Sequence, residues 1–404
     1  MRIIKEKHKD DISVKGLIRA AAAGALAVSL SLSSMPIFAM ASPRFARTEE
    51  EWASLEDNVL NFEEIADLVE EYNATVRQNE EDYSKDERKT MDAQDVREMM
   101  IKQADEYDQM AVNMEGTSQS SAAQYRMQAN SIRSQADDNV TDYTVLRLSY
   151  DRMRDEIVQS AKTYFFDYYQ SLEEQKKAFT AYESAKLAYD SAVNRFNVGL
   201  ATQIDVMTAD EALKSAQAAT ITADTAAANS KRLLQVTCGW NYASEPEIGP
   251  LPEMDLTKIA SIDLPADTEQ AINYSYTIRT DQRMLANTIS SNNYVSLREK
   301  YQDQIENDTD QVRNSVRTAY DTLVNSKTAY DNAVTARELS EGSAAAAERN
   351  FSLGQLSNTE YQSALKSLET ARYDEEIARI AVMSAWTSYE SVINGLASAG
   401  TTAG

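Results

Sequence analysis

The chain has 404 residues, with 64 acidic and 40 basic side chains and a formal net charge of −24. Gly (11) and Pro (6) fall far below the roughly 7% and 5% of ordinary globular chains, while His8 and Cys238 are the sole members of their kinds. This excludes an internal disulfide, a Cys/His zinc centre and, once the N-terminus is removed, any His-based catalytic unit. The acidic balance argues against nucleic acid as a partner. The expectation is a non-enzyme without cofactor or metal.

Residues 1–41 read as a secretory signal. Arg2, Lys5, Lys7, Lys9, Lys15 and Arg19 make a basic leader, residues 20–32 are apolar or small, and Ala39-Met40-Ala41 supplies a cleavage pattern. The apolar run is shorter than the roughly 20 residues a membrane-spanning helix requires. Cleavage after Ala41 removes six basic and three acidic groups, so the charge of −24 becomes −27.

Prolines 246, 250, 252 and 265 cluster, and residues 44–245 and 266–404 contain none. Proline removes a backbone donor and clashes with the preceding helical turn, so two long proline-free stretches predict long helices and an all-α fold. The sequence divides into a first repeat over 42–240, a Pro-containing linker over 241–266, a second repeat over 267–396 and a flexible tail over 397–404. Within the first, the charged segment of about 82–138 predicts a helical hairpin turning at Gly116. Val96, Met100, Ala104, Tyr107, Ala111 and Met114 would share one face, as helix-packing core.

The repeats are legible as repeats. Phe196-Asn197-Val198-Gly199-Leu200 and Phe351-Ser352-Leu353-Gly354-Gln355 align at an offset of 155 residues, and Thr202 and Asp205 meet Ser357 and Glu360. Each glycine is suited to ending one helix, and each hydroxyl with an acid three residues on is a capping box for the next. Two helices joined so briefly must be antiparallel, giving long hairpins with tips at 199 and 354. The expected seams are Ala181, Ala185, Ala188, Ala192 and Phe196 against Val206, Ala209, Leu213 and Ala216. In the second repeat, Ala329, Ala333, Ala336, Ala347 and Phe351 face Tyr361, Ala364, Leu368, Ala371, Ala378 and Val382. Arms of about 35–40 residues would reach roughly 50–60 Å at 1.5 Å per residue. Alanine seams bury little surface each, so such hairpins need lateral neighbours, and an oligomer is expected. A weaker repeat at an offset of 202 aligns Tyr72-Asn73 with Tyr274-Ser275.

These paired tip motifs, with Leu60-Asn61-Phe62-Glu63-Glu64-Ile65-Ala66 at the start and Gly249-Pro250-Leu251-Pro252 between the halves, resemble the TolC outer-membrane efflux protein family. The resemblance covers essentially the whole mature chain. It implies a homotrimer whose hairpins form a hollow α-barrel. Such a passive duct receives substrate from an ABC or other inner-membrane transporter through an adaptor protein. It also implies that Val198, Gly199, Leu200, Leu353, Gly354 and Gln355 dock the adaptor, that Asp205 and Glu360 face the lumen or gate, and that the protein is exported to the outer membrane. The sequence departs from the family in three places. Ser363 stands where a second tip acid is found, Leu356 stands where a basic gate residue is found, and the residues do not support membrane strands. Only 284–297 in the second half is free of charge, too short for two spans of about 9–11 residues. Asp205 and Glu360 are equally placed to do nothing but cap their helices. The competing reading is a coiled-coil scaffold of the cell envelope that transports nothing.

Overall fold

The computed structural model describes residues 47–397; the expected signal segment 1–41 and the expected tail from 398 onward lie outside the described residues. The expected all-α architecture is what the chain has. Among the described residues eleven α-helices carry it: α1 (Glu49–Glu56), α2 (Ile65–Tyr72), α3 (Ala74–Lys85), α4 (Ala93–Met114), α5 (Gln119–Asp137), α6 (Tyr143–Asn197), α7 (Gln203–Thr237), α8 (Leu264–Tyr274), α9 (Tyr276–Asn287), α10 (Tyr294–Ser352) and α11 (Asn358–Ser391). Strands among the described residues are limited to β1 (Val59–Leu60) and β2 (Glu247–Ile248), paired in parallel. No helix among them is long and apolar enough to cross a membrane.

The two halves are built alike. In each, a short helix breaks and restarts at one extended residue whose side chain caps the second piece. Asn73 (ψ 123°) accepts from the Thr75 and Val76 amides at 2.9 and 3.1 Å, and Ser275 (ψ 119°) accepts from Ile278 at 3.3 Å. Each break is met by a glycine at the end of the returning long helix. Gly239 (φ 93°) lies against Tyr72, and Gly395 (φ 120°) lies against the carbonyl of Tyr274. A side chain at Gly239 would come within 2.2 Å of the Tyr72 Cβ, so the backbones approach where only glycine fits.

Two apolar cores fill the body. The first joins Leu60, Ile65, Leu68 and Val69 to Phe165 and Phe166 of α6, Leu234 of α7, and Ile380 and Met383 of α11. The second joins Ile259 and Ile278 to Val312, Val316 and Leu323 of α10, and to Val382, Ala385 and Tyr389 of α11. Helix α11 therefore feeds both cores from different faces, which ties the halves together.

Beyond the body, the long helices lie side by side in the order α7, α6, α11, α10. The outgoing helices exceed the expected arms. α6 has 55 residues and α10 has 59, about 80–90 Å at 1.5 Å per residue, because no proline interrupts their passage from body to tip. The returning α7 and α11 have 35 and 34. The seam of α7 is half-buried at Val206, Ala209, Leu213 and Ala216, and continues through Thr220, Ala223, Ala227 and Ser230 to Leu234 at alternating spacings of 3 and 4. Elsewhere the single-seam expectation needs correction. Ala181, Ala188 and Phe196 of α6, and Ala329, Ala336 and Phe351 of α10, are exposed. Helix α6 has α7 on one side and α11 on the other, so it buries two flanks instead of one stripe. On α10 the inward register runs through Leu323, Tyr330, Ala333, Arg337, Ala344 and Ala347. Lys366–Glu183 (2.7 Å) and Lys177–Asp374 (2.6 Å) stitch α11 to α6 along the arms.

Helices α4 and α5 form a hairpin around Gly116, seamed by Val96, Ala104, Ala111, Ala122, Ala129 and Ile132, with Met100 and Tyr107 half-buried. Met114, expected on this face, is exposed because the helix ends there and α5 has not yet begun. The hairpin base is held by the segment between α9 and α10, where Asn292 Nδ2 donates to Asp137 at 2.6 Å and the Ser291 hydroxyl donates to the Asp137 carbonyl. Nearby, buried Asp142 caps α6 through the Val145 amide at 3.0 Å and takes the Arg283 guanidinium of α9 at 2.5–2.6 Å.

Candidate functional site

The hairpin tips are where the two halves present matching, exposed chemistry. At the first, the Leu200 amide donates to the Arg195 carbonyl at 2.8 Å and the Gly199 amide to the Phe196 carbonyl at 2.9 Å. At the second, Gln355 donates to Asn350 at 2.8 Å and Gly354 to Phe351 at 2.9 Å. This is the Schellman closure, which needs a left-handed residue after the last helical turn. Gly199 (φ 76°) and Gly354 (φ 71°) supply it.

The next helices start with reciprocal capping boxes. The Asp205 amide donates to Thr202 Oγ1 at 3.2 Å while the Thr202 amide donates to Asp205 Oδ2 at 2.7 Å. The Glu360 amide donates to Ser357 Oγ at 3.3 Å while the Ser357 amide donates to Glu360 Oε2 at 2.9 Å. These bonds favour the ionised forms. The Thr202 backbone amide chiefly, then its hydroxyl, lowers the Asp205 pKa; the Ser357 hydroxyl, then its amide, lowers that of Glu360. Both acids are thus caps at helix N-termini, on the surface, whose charged forms the turn favours.

Around these turns the exposed side chains are apolar. Val198, Leu200 and Leu353 are each 69% exposed, and Ile204 is 74% exposed. Gln355 is exposed beside Leu353. The structure therefore gathers Val198, Gly199 and Leu200 at one tip and Leu353, Gly354 and Gln355 at the other, each with its capping acid one turn away. Ile204 was not among the residues the sequence singled out. Its signal was available: an isoleucine between Gln203 and Asp205 falls outside the seam that begins at Val206, so it has nothing in its own hairpin to cover it. Contiguous exposed apolar groups on a soluble surface mark interaction sites.

The rest of the described surface offers little reactive chemistry. Cys238 is buried, and loss of solvent pushes its thiol up to about 12, away from any nucleophilic role at neutral pH. Among the described residues no group of three or more His, Cys, Asp or Glu side chains is gathered as for a metal ion.

No protein-family profile matches the sequence, and no curated protein matches it. Solved structures do match the fold. A membrane protein from Pseudomonas aeruginosa is similar over 84% of this chain and 92% of its own, with a TM-score of 0.55 and 12% identity. The open state of the MtrE outer membrane channel of Neisseria gonorrhoeae is similar over 84% of this chain and 90% of its own, with a TM-score of 0.51 and 10% identity. At such identity the likeness speaks of fold. The fold is the helical one that the resemblance to the TolC family led to expect.

Proposed function

We propose that the chain is a passive trans-envelope export duct, a homotrimeric helical conduit that takes substrate from an inner-membrane pump through an adaptor bound at its tips. The observation that carries this reading is the open row of four long helices. Along the arms its edge helices, α7 and α10, pack on α6 and α11 respectively, and each exposes apolar side chains, Ile221 and Met207 on one and Leu339 and Val324 on the other. Different edges meeting head to tail close into a ring when the rotation per copy divides the circle, and three copies of a curved row enclose a lumen. The likeness of the fold to that of an outer membrane channel supports the same reading and, with it, a location in the envelope.

Sedimentation of the purified mature chain should give a trimer. Ile221→Glu with Leu339→Glu should yield monomers of nearly unchanged helical content, since both positions lie outside the cores. In planar bilayers under a KCl gradient, trimers should prefer cations. Asp205→Asn with Glu360→Gln should shift the reversal potential toward zero, because an amide keeps most of the capping geometry without the charge. A folded wild-type monomer sinks the duct reading; a trimer that never conducts favours the envelope scaffold.

The apolar tips are the proposed adaptor surface. Leu200→Asp with Leu353→Asp should weaken capture of the cognate adaptor at least tenfold, about 1.4 kcal/mol, while melting as the parent does. Unchanged adaptor affinity would place docking elsewhere.

A further inference from the structure

Between α9 and α10 the body holds two acids that no role described so far uses. Asp281 of α9 and Asp308 of α10 are each 4% exposed, and Oδ2 of each is buried without a hydrogen-bond donor. Helices α9 and α10 pack together, and Asp308 is the side chain that acts most strongly on the Asp281 carboxyl. Two carboxylates so placed cannot both ionise at low cost, because each lacks solvent and each repels the other. A single proton between them resolves both problems, since the protonated acid then donates to its neighbour.

The charged surroundings do not neutralise the pair. From α10, Lys300 is the one cation felt at Asp281, and it lies over the Tyr301 ring at 5.3 Å. Tyr301 is buried beside Asp281, with Asp138 from the end of α5 adding further negative charge there. From α6, Asp142 is committed to Arg283, and Asp155 to Arg154 and the Tyr276 hydroxyl. Also on α6, Asp151 pairs with Arg147 and Arg152 with Glu156. From α8, Asp267 accepts from Tyr389 of α11 at 2.6 Å, while Glu269 and the Glu390 of α11 are exposed. The turn at 288–290 carries no titratable group. Burial first, and Asp308 second, hold Asp281 up to about 7.

We propose that Asp281 and Asp308 are a proton-operated latch between α9 and α10, closed while the pair shares one proton and released when both carboxylates ionise. The latch sits where release has a consequence. The segment between α9 and α10, through Ser291, Asn292 and Asn293, holds the base of the α4–α5 hairpin by bonds to Asp137 and Asp138. Loosening the start of α10 therefore loosens that hairpin. The direction follows from the raised acid: the folded state binds the proton more tightly than the unfolded chain, so the stabilisation is full in acid and lost as pH rises through about 7. Acid surroundings close the device and alkaline ones open it, independently of the duct reading.

Hydrogen–deuterium exchange of the full chain at pH 5.5 and 8.0, corrected for intrinsic exchange, tests this. For one carboxyl titrating near 7 folded and about 3.9 unfolded, opening of 276–287 and 294–312 should rise about thirtyfold across that interval. The arm segment 203–220 should not follow. Asp281→Asn, and separately Asp308→Asn, each place a permanent amide donor against the remaining carboxylate and should hold the seam closed at both pH values. A flat wild-type profile, or the same thirtyfold rise in either folded Asn variant, overturns the latch.

Discussion

Replacing Gly239 by alanine should destabilise the folded chain by about 2–5 kcal/mol, whereas the same change at Gly199 should cost only about 1–2 kcal/mol. Both glycines have a positive φ, 93° and 76°, so both substitutions incur the left-handed penalty of about 1–2 kcal/mol. They differ in what surrounds them. At Gly199 an added Cβ meets nothing within 4 Å, so the strain stands alone. At Gly239 it would lie 2.2 Å from the Tyr72 Cβ and 2.7 Å from the Tyr72 carbonyl carbon and oxygen. Backbone cannot swing aside as a flexible side-chain end can, so α2 or the end of α7 must shift, disturbing the core that holds Leu68, Val69 and Leu234. Overpacking of this kind adds about 1–3 kcal/mol. Urea unfolding followed by far-UV circular dichroism measures both. Gly395→Ala should behave like Gly239→Ala, since its Cβ would lie 2.7 Å from the Tyr274 carbonyl oxygen at φ 120°. Equal midpoints for Gly199→Ala and Gly239→Ala would show that the contact yields without cost.

These glycines mark the boundary of what the amino-acid order reveals. Features set by neighbours in sequence were legible. Proline-free stretches became helices of 55 and 59 residues, and the Thr202/Asp205 and Ser357/Glu360 patterns became capping boxes, because a cap is satisfied within four residues. Features set by what lies across the fold were not. The seam of α7 obeyed one register because α7 packs on one side. That of α6 did not, because α11 takes its other flank and draws Tyr182, Glu183 and Leu187 partly inward while Ala188 stays exposed. Gly239 needs Tyr72, 167 residues away, to explain it. Asp281 and Asp308 look like ordinary surface acids in a chain of 64 acidic groups until α9 and α10 are brought together. At the tips the turn chemistry was readable, yet the exposure of Ile204 depended on knowing which α7 face meets α6.

The second large effect is expected at the joint between the halves. Arg283→Met should cost about 3–5 kcal/mol, more than Asp142→Ala, although the two remove the same ion pair. The asymmetry lies in which partner is stranded. Asp142 is fully buried, and its Oδ2 takes both Nε and Nη2 of Arg283 while Oδ1 caps α6 through Val145. Without the guanidinium, that carboxylate keeps its charge in a dry site or takes up a proton there, and either is costly. Arg283 is 35% exposed, and its guanidinium lies over the Tyr143 ring at 5.9 Å. Without Asp142 it can turn to water, so Asp142→Ala should lose about 1 kcal/mol for the cap and about 1–2 kcal/mol for the pair. Asp142→Asn retains the cap acceptor and should fall below both. Combining Asp142→Asn with Arg283→Met removes the stranded charge altogether, so the double variant should be more stable than Arg283→Met alone. Each stability comes from a denaturant midpoint at constant m-value, which separates stability from changes in the unfolded ensemble. If Arg283→Met is the milder change, or the added Asp142→Asn does not restore stability, buried charge is not what holds α9 to the start of α6. Packing of Asn287 and Val140, joined by a 2.9 Å bond from the Asn287 amide to the Val140 carbonyl, would then carry the joint.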